Sequence, residues 1–252
     1  MMFSFFVGSG SAANLALATS LARLMKTGNY PVYKYRVRFC WWGAEEIGLL
    51  GSEDHVKKAN RSQTPGGRLK DYLINFNYDM LGSPNYMFGI YDGNTADPST
   101  PKVALPGSKK ITSMFIDWFE QKKLPWNYTE FSGRSDYGPF LAEGIVAGGL
   151  FSGGDEEKSR FERDYYDRML GSGLGGIAGI NHDPCYHTAC DSIANINVFA
   201  LEKMTQAAAH ALEYVALKEN LEEWLYPEGR QLSRVSSVDS LTMKSNKKMF
   251  SL

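Results

Sequence analysis

Two hydrophobic periods alternate along this chain, and that alternation restricts it to a sheet covered by helices. From Ser9 to Met25, the residues Ala13, Leu17, Leu21 and Leu24 recur at helical spacing behind serines that suit a helix start. Tyr35 to Trp42 then reads as a strand, because Tyr35, Val37, Phe39 and Trp41 alternate with Arg36 and Arg38 before both faces turn apolar. Gly43-Ala44 ends it, Ile47 to Ala59 reads as a helix, and Tyr72 to Tyr78 as a strand closing on Asp79. Tyr86 to Tyr91 and Ile145 to Phe151 predict further strands, and Ile111 to Gln121 and Val198 to Leu217 further helices. The expectation is an α/β fold with a central, mostly parallel mixed sheet and helices on both faces, its ligand at the carboxyl ends of the strands. The spacing shows no internal repeat. Beyond residue 227 the serine, lysine and methionine content carries no period, so 1–227 is expected as one domain and 228–252 as a disordered tail.

Composition excludes several partners. With 27 basic against 28 acidic residues in 252, the net charge of −1 supplies no global positive field for nucleic acid. No apolar run approaches the roughly 18 residues of a membrane span, and MMFSFFV lacks the parts of a signal peptide. Three cysteines without a CxxC pair disfavour a cysteine-rich zinc site, although Cys185 and Cys190 are close enough to bridge a short loop. Asn60 and Asn127 head glycosylation sequons, whose use the sequence leaves open.

Gly8 to Ala13 fits the GxGxxA dinucleotide pattern, but the first acidic residue of the chain is Glu45, 32 positions past Ala13 rather than about 20. A glycine-rich helix start packed closely on the sheet is the better reading. Glu45 and Glu46 carry more chemistry. They leave a strand end, and adjacent carboxylates point apart, so one can hold a metal while the other acts as a general base. A solvated acidic pair at a helix start is their ordinary alternative. Asp79 ends a strand within an otherwise uncharged stretch, as a ligand or a hydrogen-bonded structural carboxylate would. His187 stands between Cys185 and Cys190, where a ring would fix its direction. Glu46, Asp79 and His187 together are donor types that zinc accepts with one position open. HExxH and GxSxG are both absent, which removes the helical metalloprotease and the serine hydrolase elbow.

In order along the chain, WGAEEIGLLGS, NYDMLGSPNY, GRSDYGPF, GGLFSG and CYHTACDSIANIN resemble the secreted and vacuolar di-zinc aminopeptidases, the aminopeptidase Y and bacterial leucyl aminopeptidase family. The resemblance spans roughly Gly8 to Leu217. It implies Glu45 as general base, Glu46 and Asp79 as zinc ligands, and His187 as ligand of the other zinc or its neighbour. Tyr186 would hydrogen-bond the oxyanion, Cys185 and Cys190 would be disulfide-bonded, and Met80, Arg134 and Phe151 would line the cleft for the substrate's first residue. The substrates implied are peptide or protein N-termini, in a secreted or vacuolar compartment; oligomeric state stays open.

Two parts of that family's pattern are missing: a histidine of an upstream HxD segment, and an aspartate bridging both zincs, at whose position Phe6 stands. The expectations are therefore a catalytic domain lacking its first strands, one zinc or none in place of two, and little or no hydrolysis. A glutaminyl cyclase-like enzyme using one zinc is the alternative enzyme, and a non-catalytic ectodomain with a decayed peptidase site the alternative from another class.

Overall fold

The computed structural model describes residues 8–230; Phe6 and all of the expected tail beyond residue 230 lie outside them. Among the described residues seven α-helices and four strands run in the order α1 (Gly8–Lys26), α2 (Leu50–Arg61), β1 (Ile74–Asp79), β2 (Gly89–Tyr91), α3 (Leu105–Gln121), β3 (Asn127–Thr129), α4 (Gly138–Ala142), β4 (Val146–Phe151), α5 (Arg160–Leu170), α6 (Val198–Ala216) and α7 (Leu221–Leu225). The sheet order is β1-β4-β2-β3, with β1 parallel to β4, β2 parallel to β3, and β2 antiparallel to β4. This is the mixed, largely parallel α/β arrangement that the alternating periods predict.

The expected strand at residues 35–42 does not form. An extended stretch becomes a strand only when its backbone meets another backbone, and residues 31 to 42 make no backbone–backbone hydrogen bond among the described residues. Side chains hold it instead. Asn14 Nδ2 donates to the Cys40 carbonyl at 2.9 Å, and Trp41 Nε1 to the Ser11 carbonyl at 3.2 Å. Among the described residues β1 pairs with β4 alone.

The elements missed by sequence are short or weakly patterned. β3 has three residues, and α5 buries only Glu162 and Tyr166. Six residues at the front of α3 also went unread, where Pro106 suits a first turn that needs no amide hydrogen.

Gly10 explains the glycine-rich start of α1. A β-carbon there would lie 2.1 Å from the Tyr78 carbonyl oxygen, so only glycine lets the helix approach β1 this closely. Ser9 Oγ accepts from the Leu81 amide at 3.0 Å and ties the helix start to the end of the strand. The GxGxxA string thus serves packing at the strand end where Asp79 sits.

The main core joins α3 and α6 to β2 and β4, with Phe88 and Phe119 fully buried and ring centres 5.3 Å apart. A buried lysine adjoins it. Lys158 Nζ donates to the Tyr86 carbonyl at 2.6 Å and the Gly175 carbonyl at 3.1 Å, and stands 4.6 Å from the centre of the Tyr166 ring. Burial pulls its ammonium down from 10.5 to about 8, opposed by Glu162, which pairs in turn with His182. The unfolded chain keeps this proton to higher pH and so binds more protons above about pH 8. Stability is expected to rise by about 2–3 kcal/mol between pH 8 and pH 10 from this group. The hydroxyls of Tyr86 and Tyr166 are raised by burial, and their contribution is lost only above the ordinary 10. Urea unfolding at both pH values should show the rise in the wild type and its loss in Lys158→Met; the same rise in the variant would contradict this origin.

Candidate active site and metal centre

The Gly43–Leu49 loop leaves the 35–42 segment and presents Glu45 and Glu46. It folds back tightly: the Leu49 amide donates to the Glu45 carbonyl at 2.9 Å and the Gly51 amide to the Gly43 carbonyl at 3.0 Å. Ala44 and Leu49 take φ of 59° and 58°, Met80 49° and His187 56°. Of the five non-glycine residues with positive φ among the described residues, these four flank or carry the candidate site, a concentration of backbone strain typical of functional loops.

Glu46 and His187 meet across 141 positions of sequence. His187 Nε2 lies 3.1 Å from Oε1 and 3.1 Å from Oε2 of Glu46, both side chains being about half exposed. His187 is carried by the ring that the Cys185–Cys190 disulfide closes, with Cα atoms 5.3 Å apart. The Tyr186 and His187 rings stack with centres 4.0 Å apart. Asp183 Oδ1 supports the loop from below, accepting from the Cys185 amide at 2.9 Å and Asn195 Nδ2 at 2.8 Å.

Asp79 sits deeper. Its Oδ2 accepts from Ser135 Oγ at 2.9 Å, and Ser135 accepts from Asn77 Nδ2 at 2.9 Å. Burial raises the Asp79 carboxyl above its ordinary value, Ser135 opposes this, and the charges of Asp136 and Glu46 add to it. Burial likewise lifts Glu45 to about 7, with Asp79, Glu46 and Asp136 contributing in that order. The Tyr186 hydroxyl is pushed up to about 12 by burial first, then by Glu46, Asp155, Asp79 and Glu45. Glu45, Asp79 and Asp136 line one cavity.

As a metal cradle the donors fit in part. A carboxylate and an imidazole nitrogen already converge in Glu46 and His187, the donor types zinc takes. Asp79 stays with Ser135, and no three His, Cys, Asp or Glu side chains among the described residues are grouped closely enough to hold an ion. Two protein donors fit one loosely held ion.

The three residues expected to line the cleft lie at different depths. Met80 is buried, its carbonyl accepting from the Ser152 amide at 2.7 Å. Phe151 ends β4 opposite Asp79 in the register. A β-carbon on Gly154 would touch the rings of both Phe151 and Tyr186, at 3.5 and 3.4 Å, so those rings face each other across it. Arg134 is exposed. Ser135, Asn77 and Asp136 escaped the sequence reading. Ser135 and Asp136 lie inside GRSDYGPF, and their burial, which no local pattern reveals, is what makes them part of the site.

The model of Peptidase family M28 matches residues 7–212. An aminopeptidase of Pseudomonas aeruginosa is 41% identical over 210 residues, covering 83% of this chain and 35% of the relative. The probable leucine aminopeptidase 2 of Aspergillus fumigatus is 39% identical over 206 residues, covering 81% and 36%. The chain spans little more than a third of the length of these two relatives. Among solved structures, a zinc aminopeptidase from Bacillus subtilis superposes with a TM-score of 0.55 at 20% identity, covering 88% of this chain and 44% of that one, a likeness of fold.

Proposed function

Because the chain belongs to peptidase family M28, we propose that it carries the site of a zinc-dependent aminopeptidase, acting on the free N-termini of peptides. The observation that carries this reading is the convergence of Glu46 and His187 at 3.1 Å beside Glu45 and Tyr186. Glu46 and His187 would hold one zinc ion, which when bound supplies a Lewis acid for the scissile carbonyl. Glu45, lining one cavity with Asp79 and Asp136, takes the proton of the attacking water and passes it to the leaving amine. The Tyr186 hydroxyl, kept protonated by its raised pKa, donates a hydrogen bond to the developing oxyanion. Asp79 and Asp136 supply the negative field that attracts a substrate ammonium. Met80, Arg134 and Phe151 are proposed to line the pocket for the first residue.

The Cys185–Cys190 disulfide favours an oxidising compartment, so we place the protein outside the cytosol. No helix among the described residues is long and apolar enough to cross a membrane.

Elemental analysis with leucyl anilide hydrolysis tests the function. The expected result is one loosely held zinc per chain, slow hydrolysis, and loss of the metal in Glu46→Gln and His187→Ala. Two tightly held ions with brisk turnover would overturn the single-ion site. Neither zinc nor turnover would overturn the enzyme reading.

A further inference from the structure

Glu162 and His182 are buried polar residues outside the proposed chemistry, and they meet behind the loop that carries Tyr186 and His187. His182 Nε2 lies 3.0 Å from Oε1 of Glu162; a carboxylate only accepts, so the imidazole donates. Glu162 stands in the first turn of α5, where Ser159 Oγ accepts from its amide at 3.0 Å. Besides it, α5 buries only Tyr166, whose hydroxyl accepts from the Phe88 amide at 2.6 Å. Directional bonds therefore carry much of this helix's placement.

Close links run from the Glu162–His182 bond to the site. The His182 amide donates to the Glu156 carbonyl at 2.9 Å, and its carbonyl accepts from the Asn85 amide at 2.9 Å. Its ring lies against Gly153, where a β-carbon would stand 2.4 Å from His182 Cγ, so a glycine at φ 93° leaves the imidazole its room. Gly154, next in the chain, borders the Tyr186 ring, which would lie 3.4 Å from a β-carbon placed there. The Gly154 carbonyl accepts from the Asp183 amide at 2.8 Å, and the Asp183 carbonyl from the Tyr186 amide at 3.1 Å. A shift of His182 thus moves Tyr186 with it.

From this geometry we infer that Glu162 and His182 are positioning residues, which aim the Tyr186 hydroxyl through the turn 182–186 and touch neither zinc nor substrate. The inference rests on the reading of Tyr186 as the oxyanion donor. His187 has anchors of its own in the disulfide ring and Glu46, so the pair governs the oxyanion donor rather than the metal. Removing the carboxylate leaves a buried N–H without its acceptor, which draws the imidazole toward another partner and releases the turn. An oxyanion donor works at about 2.7–3.1 Å, and a misplacement of about 1 Å can cost about 10²-fold in rate.

A double-mutant cycle on leucyl anilide hydrolysis tests the pair. Glu162→Ala should lower kcat about tenfold or more, with KM and bound zinc within about twofold of wild type. In a Tyr186→Phe background the same change should cost less than about twofold, because the group it aims is gone. Glu162→Gln, which keeps an acceptor for Nε2, should return kcat to within about threefold of wild type. Equal losses in both backgrounds would make the role structural only and overturn the inference, as would a loss of zinc or a rise in KM with kcat unchanged. Should Glu162→Ala fail to fold, His182→Phe, which keeps a ring on Gly153 and removes the donor, is read in the same cycle. If the wild type does not turn over, the aminopeptidase reading fails, and NMR of isotopically labelled tyrosine decides the pair by itself. The ring signal that Tyr186→Phe removes should shift or broaden in Glu162→Ala, and an unmoved signal would refute the coupling.

Discussion

Replacing Glu45 by glutamine is expected to lower leucyl anilide hydrolysis by at least about 10²-fold while zinc still binds. The substitution keeps the shape of the side chain and removes its ability to take a proton, so it separates the base from its neighbour Glu46. Both residues leave the same tight loop, but Glu46 meets His187 and Glu45 lines the cavity with Asp79. Steady-state kinetics and equilibrium dialysis against zinc check the two halves. A parallel fall in zinc affinity would make Glu45 a ligand, and unchanged turnover would remove it from the chemistry.

Phe88→Ala is expected to destabilise the fold by about 3–5 kcal/mol, the range for deleting a fully buried aromatic ring. Phe88 is wholly buried, with ring centres 5.0 Å from Tyr86, 5.3 Å from Phe119 and 6.1 Å from Tyr166. Its amide also donates to the Tyr166 hydroxyl at 2.6 Å, so neighbours fixed by that bond are poorly placed to collapse into the void. The loss is a large share of the roughly 5–15 kcal/mol that holds a domain together. Phe161, 78% exposed on α5, is the control, and its alanine variant should stay within about 0.5 kcal/mol of wild type. Urea midpoints for both variants check the contrast. Similar shifts in the two would mean that burial in this core does not set its stability.

Legibility followed the length of the pattern. α1 and α6, each of 19 residues, were readable because five turns of a helix repeat the apolar spacing often enough to exceed chance. β1 and β4 were readable as short apolar runs. The 35–42 segment was misread for the opposite reason: its alternation is genuine, but strand formation needs a partner edge, and whether that edge is met is no property of the segment. Nothing near Ser135 in the chain marks it out, whereas folding makes it the hydrogen-bond donor to Asp79.

Local order along the chain was enough to announce an α/β sheet, the strand end at Asp79, the paired acids at 45 and 46 and the histidine between two cysteines, because each is a matter of near neighbours. Folding alone could bring Glu46 to His187 across 141 positions and set Asp79 against Ser135 across 56. Contacts at such separations depend on how whole elements pack, and packing has no signature in any short window of residues.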